Sequence, residues 1–480
     1  MIIMRIAYGI DFGTTNSACI GLTEANHRIP FGDEYDGAPF PSFVAIDKVS
    51  GKVHTGRECW SKRQEFAQTC EIITSVKRYL GSDRSWKIAG KEWTPSDIAC
   101  EILKAMKKNV SNSGAGELKC ATISVPVGFS FEKRADLRKA AEKAGIDISS
   151  FVSESTAAFF KFYENYKHMK NIGIIDWGGG TLDVSILENK NGTIRELSTA
   201  GAPIGGDIID HKLAEWAHRE YSIQKNLNLS FDQMPAHDRD SLIYACEQAK
   251  KRLYVKDAVE IALLKYGPSG TLRRTIDATT FASLIDHEVS QTISCFEGAL
   301  SKSLLGIEEL DCIIMVGGSV QLRPFIDKVE AKWDVLKVWP EESEWSVADG
   351  SAQLEITSGK NVVEKALGIL LADSSFYPLI KWGEIADGFC RQFVFSMVED
   401  STTANLIFID EDKNLIGTID LPITGFFQEK IELEVLINEN LICCISARSR
   451  NRSHQYCNQL QYSGLKFNYV LPDSNKGMEI

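Results

Sequence analysis

No stretch of this 480-residue chain is long and apolar enough to span a bilayer, which takes about 20 consecutive apolar residues. The opening Met1-Ile2-Ile3-Met4 is too short for the apolar core of an export signal, and it leads straight into an apolar strand. Basic charge is in deficit, with 53 Lys and Arg against 65 Asp and Glu and a net charge of −12. That deficit argues against a general binder of nucleic acid or of an anionic membrane, so neither partner is expected. No two of the 12 cysteines stand in a C-x-x-C spacing; Cys443 and Cys444 are adjacent inside an apolar run. With no export signal, reduced thiols in cores are expected rather than disulfides or zinc sites, and the location expected is cytoplasmic. The eight histidines show no ligand spacing. His211 and His218 lie one helical face apart without partners nearby, so no metal ligand is assigned to histidine.

What is present is ordinary in bulk and pointed in detail. Hydrophobic residues make up 44% and charged residues 25%, as in a globular protein, and the length suggests about three domains. Residues 172–186 read as apolar strand, Asp176, Trp177, three glycines (Gly178, Gly179, Gly180), Thr181, then a second apolar strand through Asp183. Glycines let a turn approach a ligand closely, and its N–H groups suit phosphate oxygens. Asp176 at the strand end could hold a hydrated Mg²⁺ beside them. Alone, the stretch reads equally as an ordinary glycine-rich hairpin. A second copy near the N-terminus, Asp11, Phe12, Gly13, Thr14, Thr15, Asn16 between apolar runs, tips the balance. Two such hairpins a domain apart suggest a duplicated unit with nucleotide phosphates between its halves.

Along the chain, Lys77 and Arg78 precede Gly81, a pattern that in isolation is a solvated helix end. Thr94, Pro95 and Asp97 open a helix with Ile98, Ile102 and Met106 on one face. A strand from Cys120 stops at Pro126, and a helix from Phe131 to Ala144 ends at Gly145. Glu154-Ser155-Thr156 opens another helix. Alternating strand and helix signals suggest a sheet with helices on both faces and ligand beyond the strand ends. Gly205-Gly206-Asp207 precedes a helix and can face phosphate. A charged helical region carries Glu247, Lys250 and Lys251, and a buried strand breaks into Gly317-Gly318-Ser319. From about Phe393 the period is two: Ile431, Leu433, Val435 and Ile437 alternate with Glu432, Glu434 and Leu436, which reads as a small antiparallel β domain.

Together these motifs resemble the heat-shock protein 70 (DnaK-type) chaperones. The resemblance covers roughly the whole chain, strongly to about residue 360. It implies an α/β fold: a two-lobed, duplicated actin-like (ribonuclease H-like) ATPase domain over residues 1–358. A linker over 359–375, a reduced antiparallel β domain over 376–472 and a tail over 473–480 would follow. It implies ATP/ADP and Mg²⁺ as cofactors and slow hydrolysis of ATP to ADP and phosphate. Asp11 to Asn16 looks like the family's first phosphate loop and Asp176 to Asp183 its second. Gly205-Gly206-Asp207 and Gly317-Gly318-Ser319 look like nucleotide-contacting turns. By the same resemblance Lys77, Glu154, Asp176 and Thr181 serve catalysis, and Asp11 and Asp176 hold the metal through water. Glu247, Lys250, Lys251, Tyr254 and Gln321 line the nucleoside site, and Pro126 and Arg134 couple ATP state to the β domain. Hydrolysis of a γ-phosphate calls for positioning and charge neutralisation, which these residue types can supply.

The chain also departs from the family. Lys251 and Gln321 stand where two arginines would stack on adenine, with Tyr254 in place of a small hydroxyl residue and Arg323 close by. Ser155 replaces a proline. The run 367–373 resembles the interdomain linker, leaving no room before Leu379 for the β domain's first strand pair. Phe395-Ser396-Met397-Val398-Glu399-Asp400 resembles a fragment of that domain, and a helical lid is missing. The expected partners are a protein or peptide client or a dedicated protein partner, and a nucleotide-exchange factor or co-chaperone. A nucleotide-gated interaction or assembly module, and a small-molecule kinase on the same fold, are the alternatives.

Overall fold

The computed structural model describes residues 6–126, 128–190, 192–267, 270–397, 401–424, 429–450 and 457–471. Residues 1–4, Val398, Glu399, Asp400 and the tail 473–480 of the sequence reading lie outside them. The chain divides into two compact units. The first comprises residues 1–128, 136–189 and 196–356, and the second 129–135, 190–195 and 357–480.

The first unit repeats one plan. In one lobe β1 (Ile6–Asp11) pairs antiparallel with β2 (Asn16–Thr23) and parallel with β3 (Cys120–Val125), which pairs parallel with β4 (Asp147–Ser153). Helix α1 (Glu154–Lys161) follows directly. In the other lobe β5 (Asn171–Trp177) pairs antiparallel with β6 (Leu182–Lys190). Beyond them come helices α2 (Gly206–Lys225) and α3 (Ala236–Leu253), and then β7 (Cys312–Val316), parallel to β5. The duplicated unit expected from the two hairpins is therefore present. Each begins with a buried strand whose last residues carry an aspartate, Asp11 or Asp176. These strands are buried on both faces, which is why they read as continuous apolar runs.

Local signals did their expected work. Thr94 accepts from the Asp97 N–H at 3.2 Å while Asp97 accepts from the Thr94 N–H at 3.0 Å, a capping box that opens Pro95–Asn112. Gly145, at φ +69, closes Phe131–Ala144. Helix α4 (Ser346–Thr357) crosses α1 at Gly350, where an added Cβ would lie 1.6 Å from the Ala157 carbonyl oxygen. Backbone meets backbone at that crossing, so only glycine fits.

The second unit, among its described residues from 357 onward, is built of strands. One sheet has the order β9 (Phe376–Ile380), β8 (Leu367–Leu370), β11 (Thr403–Asp410), β12 (Leu415–Pro422). The other has β10 (Cys390–Ser396), β13 (Lys430–Ile437), β14 (Cys443–Ser449), β15 (Cys457–Tyr462). The period-two reading holds: Ile431, Leu433, Val435 and Ile437 are buried in the shared core. The sequence reading differs from the structure at the start of this unit. It left no room for an opening strand pair, yet β8 and β9 form an antiparallel hairpin. The run given to the linker supplies β8, because a buried four-residue strand and an apolar linker have the same composition. A further strand from the same segment, Lys360–Val363, pairs antiparallel with Phe467–Val470.

No helix of the described residues is long and apolar enough to cross a membrane, and all 12 cysteines are free.

Candidate functional site

The strand ends of the first unit bring four loops together. Gly179 sits against Thr15: a Cβ added there would stand 2.5 Å from the Thr15 hydroxyl. The Gly206 N–H donates to the Gly178 carbonyl at 3.1 Å and the Asp207 N–H to the Gly179 carbonyl at 2.7 Å. The Ser319 hydroxyl donates to the Gly178 carbonyl at 2.8 Å. Gly317 takes φ +86 and packs against Trp177 and Asp176, with 2.7 Å from its would-be Cβ to Asp176 Oδ1. Two strand-to-strand turns and two loop-to-helix turns thus converge, as a phosphate chain between the two lobes would require.

Lys77 lies on a single 3-10 turn, Val76–Tyr79, entered through Ser75 in the left-handed region at φ +56. Its ammonium is buried and donates to Glu154 Oε1 at 2.6 Å. Glu154 is the first residue of α1, set by the Ser153 hydroxyl capping the Thr156 N–H at 3.1 Å. Asp11, Asp176 and Asp183 complete the acidic floor. Burial, then the charge of Glu154, pushes Asp11 up to about 7 against the pull of Lys77. Burial, then Glu154, Asp11 and Asp183, holds Asp176 well above the usual carboxylate range. Asp183 is pushed up to about 6 by burial and Glu154, although the Thr181 hydroxyl donates to it. Burial works against the charge on Lys77, but Glu154 and Asp11 raise its pKa all the same.

These acids outnumber the ammonium facing them, so the floor is short of positive charge. A divalent cation fits that deficit. Among the described residues no three His, Cys, Asp or Glu side chains are close enough together to hold a metal directly.

The remaining expected residues lie around this floor. Asn16 accepts from Arg57 at 3.2 Å, and the Gly13 carbonyl accepts from Ser42 at 2.7 Å. Lys250 is buried, paired with Asp210 at 2.8 Å and donating to the Gly206 carbonyl at 3.0 Å. Tyr254 donates to the Gly318 carbonyl at 3.2 Å, tying the end of α3 to the 317–319 loop. Lys251 is half exposed and engaged by Glu247 at 2.8 Å. Gln321 donates to Ser343 at 3.0 Å. Arg323 is held by Asp257 at 2.8 Å. Pro126 is in the first unit and Arg134 in the second.

Four residues that the sequence reading gave no individual role stand in the site. Arg78 donates to the Gly180 carbonyl at 3.1 Å, and Asp207 accepts from Thr15 at 3.2 Å. Asp183 and Asp210 are the others. Asp183 had a signal: it lies two residues beyond Thr181, whose hydroxyl donates to it. Arg78 is next to Lys77 on the same turn.

The model of the Hsp70 protein family matches residues 84–374. The chain is 32% identical over 441 residues to the chaperone protein DnaK of Thermosipho melanesiensis, covering 87% of this chain and 72% of that protein. It is 32% identical over 418 residues to DnaK of Thermotoga neapolitana, covering 82% and 68%. It is 29% identical over 505 residues to DnaK of Thermosipho africanus, covering 98% and 82%.

Proposed function

The chain belongs to the Hsp70 family, and with that as premise we propose how its residues divide the work. It is an ATP-dependent chaperone and an ATPase that turns ATP into ADP and phosphate. Its family binds ATP or ADP with Mg²⁺ and works with protein clients and co-chaperones.

In our reading the turns at Gly13–Asn16, Gly178–Thr181, Gly205–Gly206 and Gly317–Ser319 cradle the phosphates. Asp11 and Asp176 hold the metal through water, and the ion supplies charge neutralisation at the phosphates. Lys77 neutralises charge on the transferred group. Glu154 and Thr181, with Lys77 and Asp183, hold the attacking water in line. Its oxygen bonds to phosphorus as the bond to ADP breaks, and a proton is released. Arg78 holds the second phosphate loop at Gly180, and Asp207 holds the first at Thr15. The observation that carries this is the buried Lys77–Glu154 pair set among Asp11, Asp176 and Asp183, with Asp176 packed against Gly317.

Glu247, Lys250, Lys251, Tyr254 and Gln321 are proposed for the nucleoside, with Tyr254 rather than paired arginines against the base. Residues 1–358 are read as the ATPase domain, 359–375 as a connection folded into strands, and 376–472 as the β domain that meets a peptide or a dedicated protein partner. Pro126 and Arg134 are proposed to couple the two, and an exchange factor or co-chaperone to act on the first. The cytoplasm is the proposed location, in keeping with the free thiols. The test is phosphate release with and without an unfolded protein. Stimulation by unfolded protein is expected. Turnover that rises only with a sugar or another small hydroxyl acceptor would instead point to a kinase.

A further inference from the structure

The hydroxyls of Ser155 and Ser185 meet at 2.6 Å, with 2% and 1% of each residue exposed. Ser155 is the second residue of α1, next to Glu154. Ser185 lies two residues beyond Asp183 on β6 and so on the same face. The bond therefore joins the two elements that deliver Glu154 and Asp183. Beside it is a cavity of ≈ 220 Å³, lined in part by Glu154, Ser155, Asp183, Ser185, Thr199 and Gly201. Buried side chains are normally fixed by neighbours that fill the space around them. The first turn of α1 is buried but borders this cavity on one side. The Ser153 hydroxyl caps Thr156 within the turn and also bonds Glu196, on the strand that follows β6. The Ser155–Ser185 bond ties that turn directly to β6.

We propose that Ser155 is a positioning residue for the hydrolytic step: with Ser185 it pins the first turn of α1 to β6 and so fixes the Glu154–Lys77 pair against Asp183. This rests on the reading of Lys77 and Glu154 given above.

The full chain with Mg²⁺ and ATP provides the test. Ser155→Ala and the double variant Ser155→Ala/Ser185→Ala are compared with the parent for kcat, KM and the pH profile of kcat. The single change leaves one buried hydroxyl unpaired, which disturbs the fold in its own right. The double change removes both hydroxyls and that penalty, yet still lacks the tether. Both variants should lose about tenfold in kcat, less than the roughly hundredfold of an ångström-scale misplacement. KM should stay within about twofold, because the loss falls on chemistry and not on binding. The acid limb of the pH profile should move, because Asp183, held up by burial and by the nearby charge of Glu154, changes its distance from that charge. A double variant with the parent's kcat and pH profile overturns the proposal, whatever the single variant does. Lys77→Ala runs alongside. If it too keeps the parent's turnover, the reading of the site has failed; if it is inactive while the double variant is unimpaired, the positioning role alone has.

Discussion

Lys77→Ala removes an ammonium that donates at 2.6 Å to Glu154 and faces Asp11 and Asp183. Two losses follow. The first is catalytic. The glycine turns remain, so ATP still binds, but charge on the transferred group is no longer met. Losing one such contact typically costs about 3 kcal/mol, a factor of roughly a hundred or more in turnover. The second is a pH-dependent loss of stability. A carboxyl whose pKa is raised by folding favours the fold below its unfolded value, and that advantage is lost as the pH rises through the folded value. For Asp11, a rise from 3.8 to about 7 corresponds to about 4 kcal/mol lost between those pH values. Asp183, at about 6, adds to the same trend. Lys77 pulls both down, so its removal raises both further. The variant should therefore lie close to the parent in stability near pH 5 and fall about 3 kcal/mol or more below it at pH 8, as expected when a buried charge loses its partner. Single-turnover phosphate release at saturating ATP measures the first effect, and urea unfolding without nucleotide at the two pH values the second. Turnover within threefold of the parent would take Lys77 out of the site. A stability difference that is the same at both pH values would refute the charge argument.

Four further outcomes are expected. Tyr254→Phe loses the bond to the Gly318 carbonyl, worth about 1 kcal/mol, so ADP should bind about fivefold more weakly in titration; unchanged affinity would place Tyr254 outside the site. With Arg323 held by Asp257, no arginine is free from that position to stack, and ATP should be preferred to GTP by less than about tenfold in competition. Gly350→Ala drives a Cβ into the Ala157 carbonyl and should cost at least about 3 kcal/mol, seen as a lowered Tm or loss of folded protein, whereas Gly298→Ala, whose Cβ meets nothing within 4 Å, should be neutral or stabilising. Labelled apolar peptides should leave this chain quickly in anisotropy measurements, since strands alone make up the described part of its β unit beyond residue 357; slow release in ADP, hastened by ATP, would show a covered cleft.

What the sequence shows well is what one backbone neighbourhood decides. An aspartate, an aromatic or phenylalanine-like residue and a glycine run between two apolar strands can hardly be placed other than as a hairpin, so both phosphate loops and the duplicated plan are legible. Capping residues fixed the start of Pro95–Asn112 for the same reason. Where two environments share one composition, legibility fails. Residues 367–370 serve equally as an apolar linker and as a buried strand. The deciding sign is the turn after them. Asp373 accepts from the Ser375 N–H at 2.9 Å and Ser374 takes φ +63, so Asp-Ser-Ser is a hairpin turn between two apolar runs.

The harder residues are those whose role depends on a partner far along the chain. Lys77 and Glu154 are 77 positions apart, and Thr15 and Asp207 are 192 apart. The first pair is reached through family resemblance and the second is not, because a threonine in a glycine turn and an aspartate in a helix's first turn each have a sufficient local explanation. Ser155 and Ser185 carry this furthest. A serine in the first turn of a helix satisfies capping statistics, and a serine inside a strand passes for a neutral filler. Their burial to 2% and 1% exposure removes both explanations, since a buried hydroxyl needs a partner and these two supply each other. If that bond sets the distance between Glu154 and Asp183, the residue that replaces a proline at position 155 belongs to the hydrolytic machinery through geometry alone.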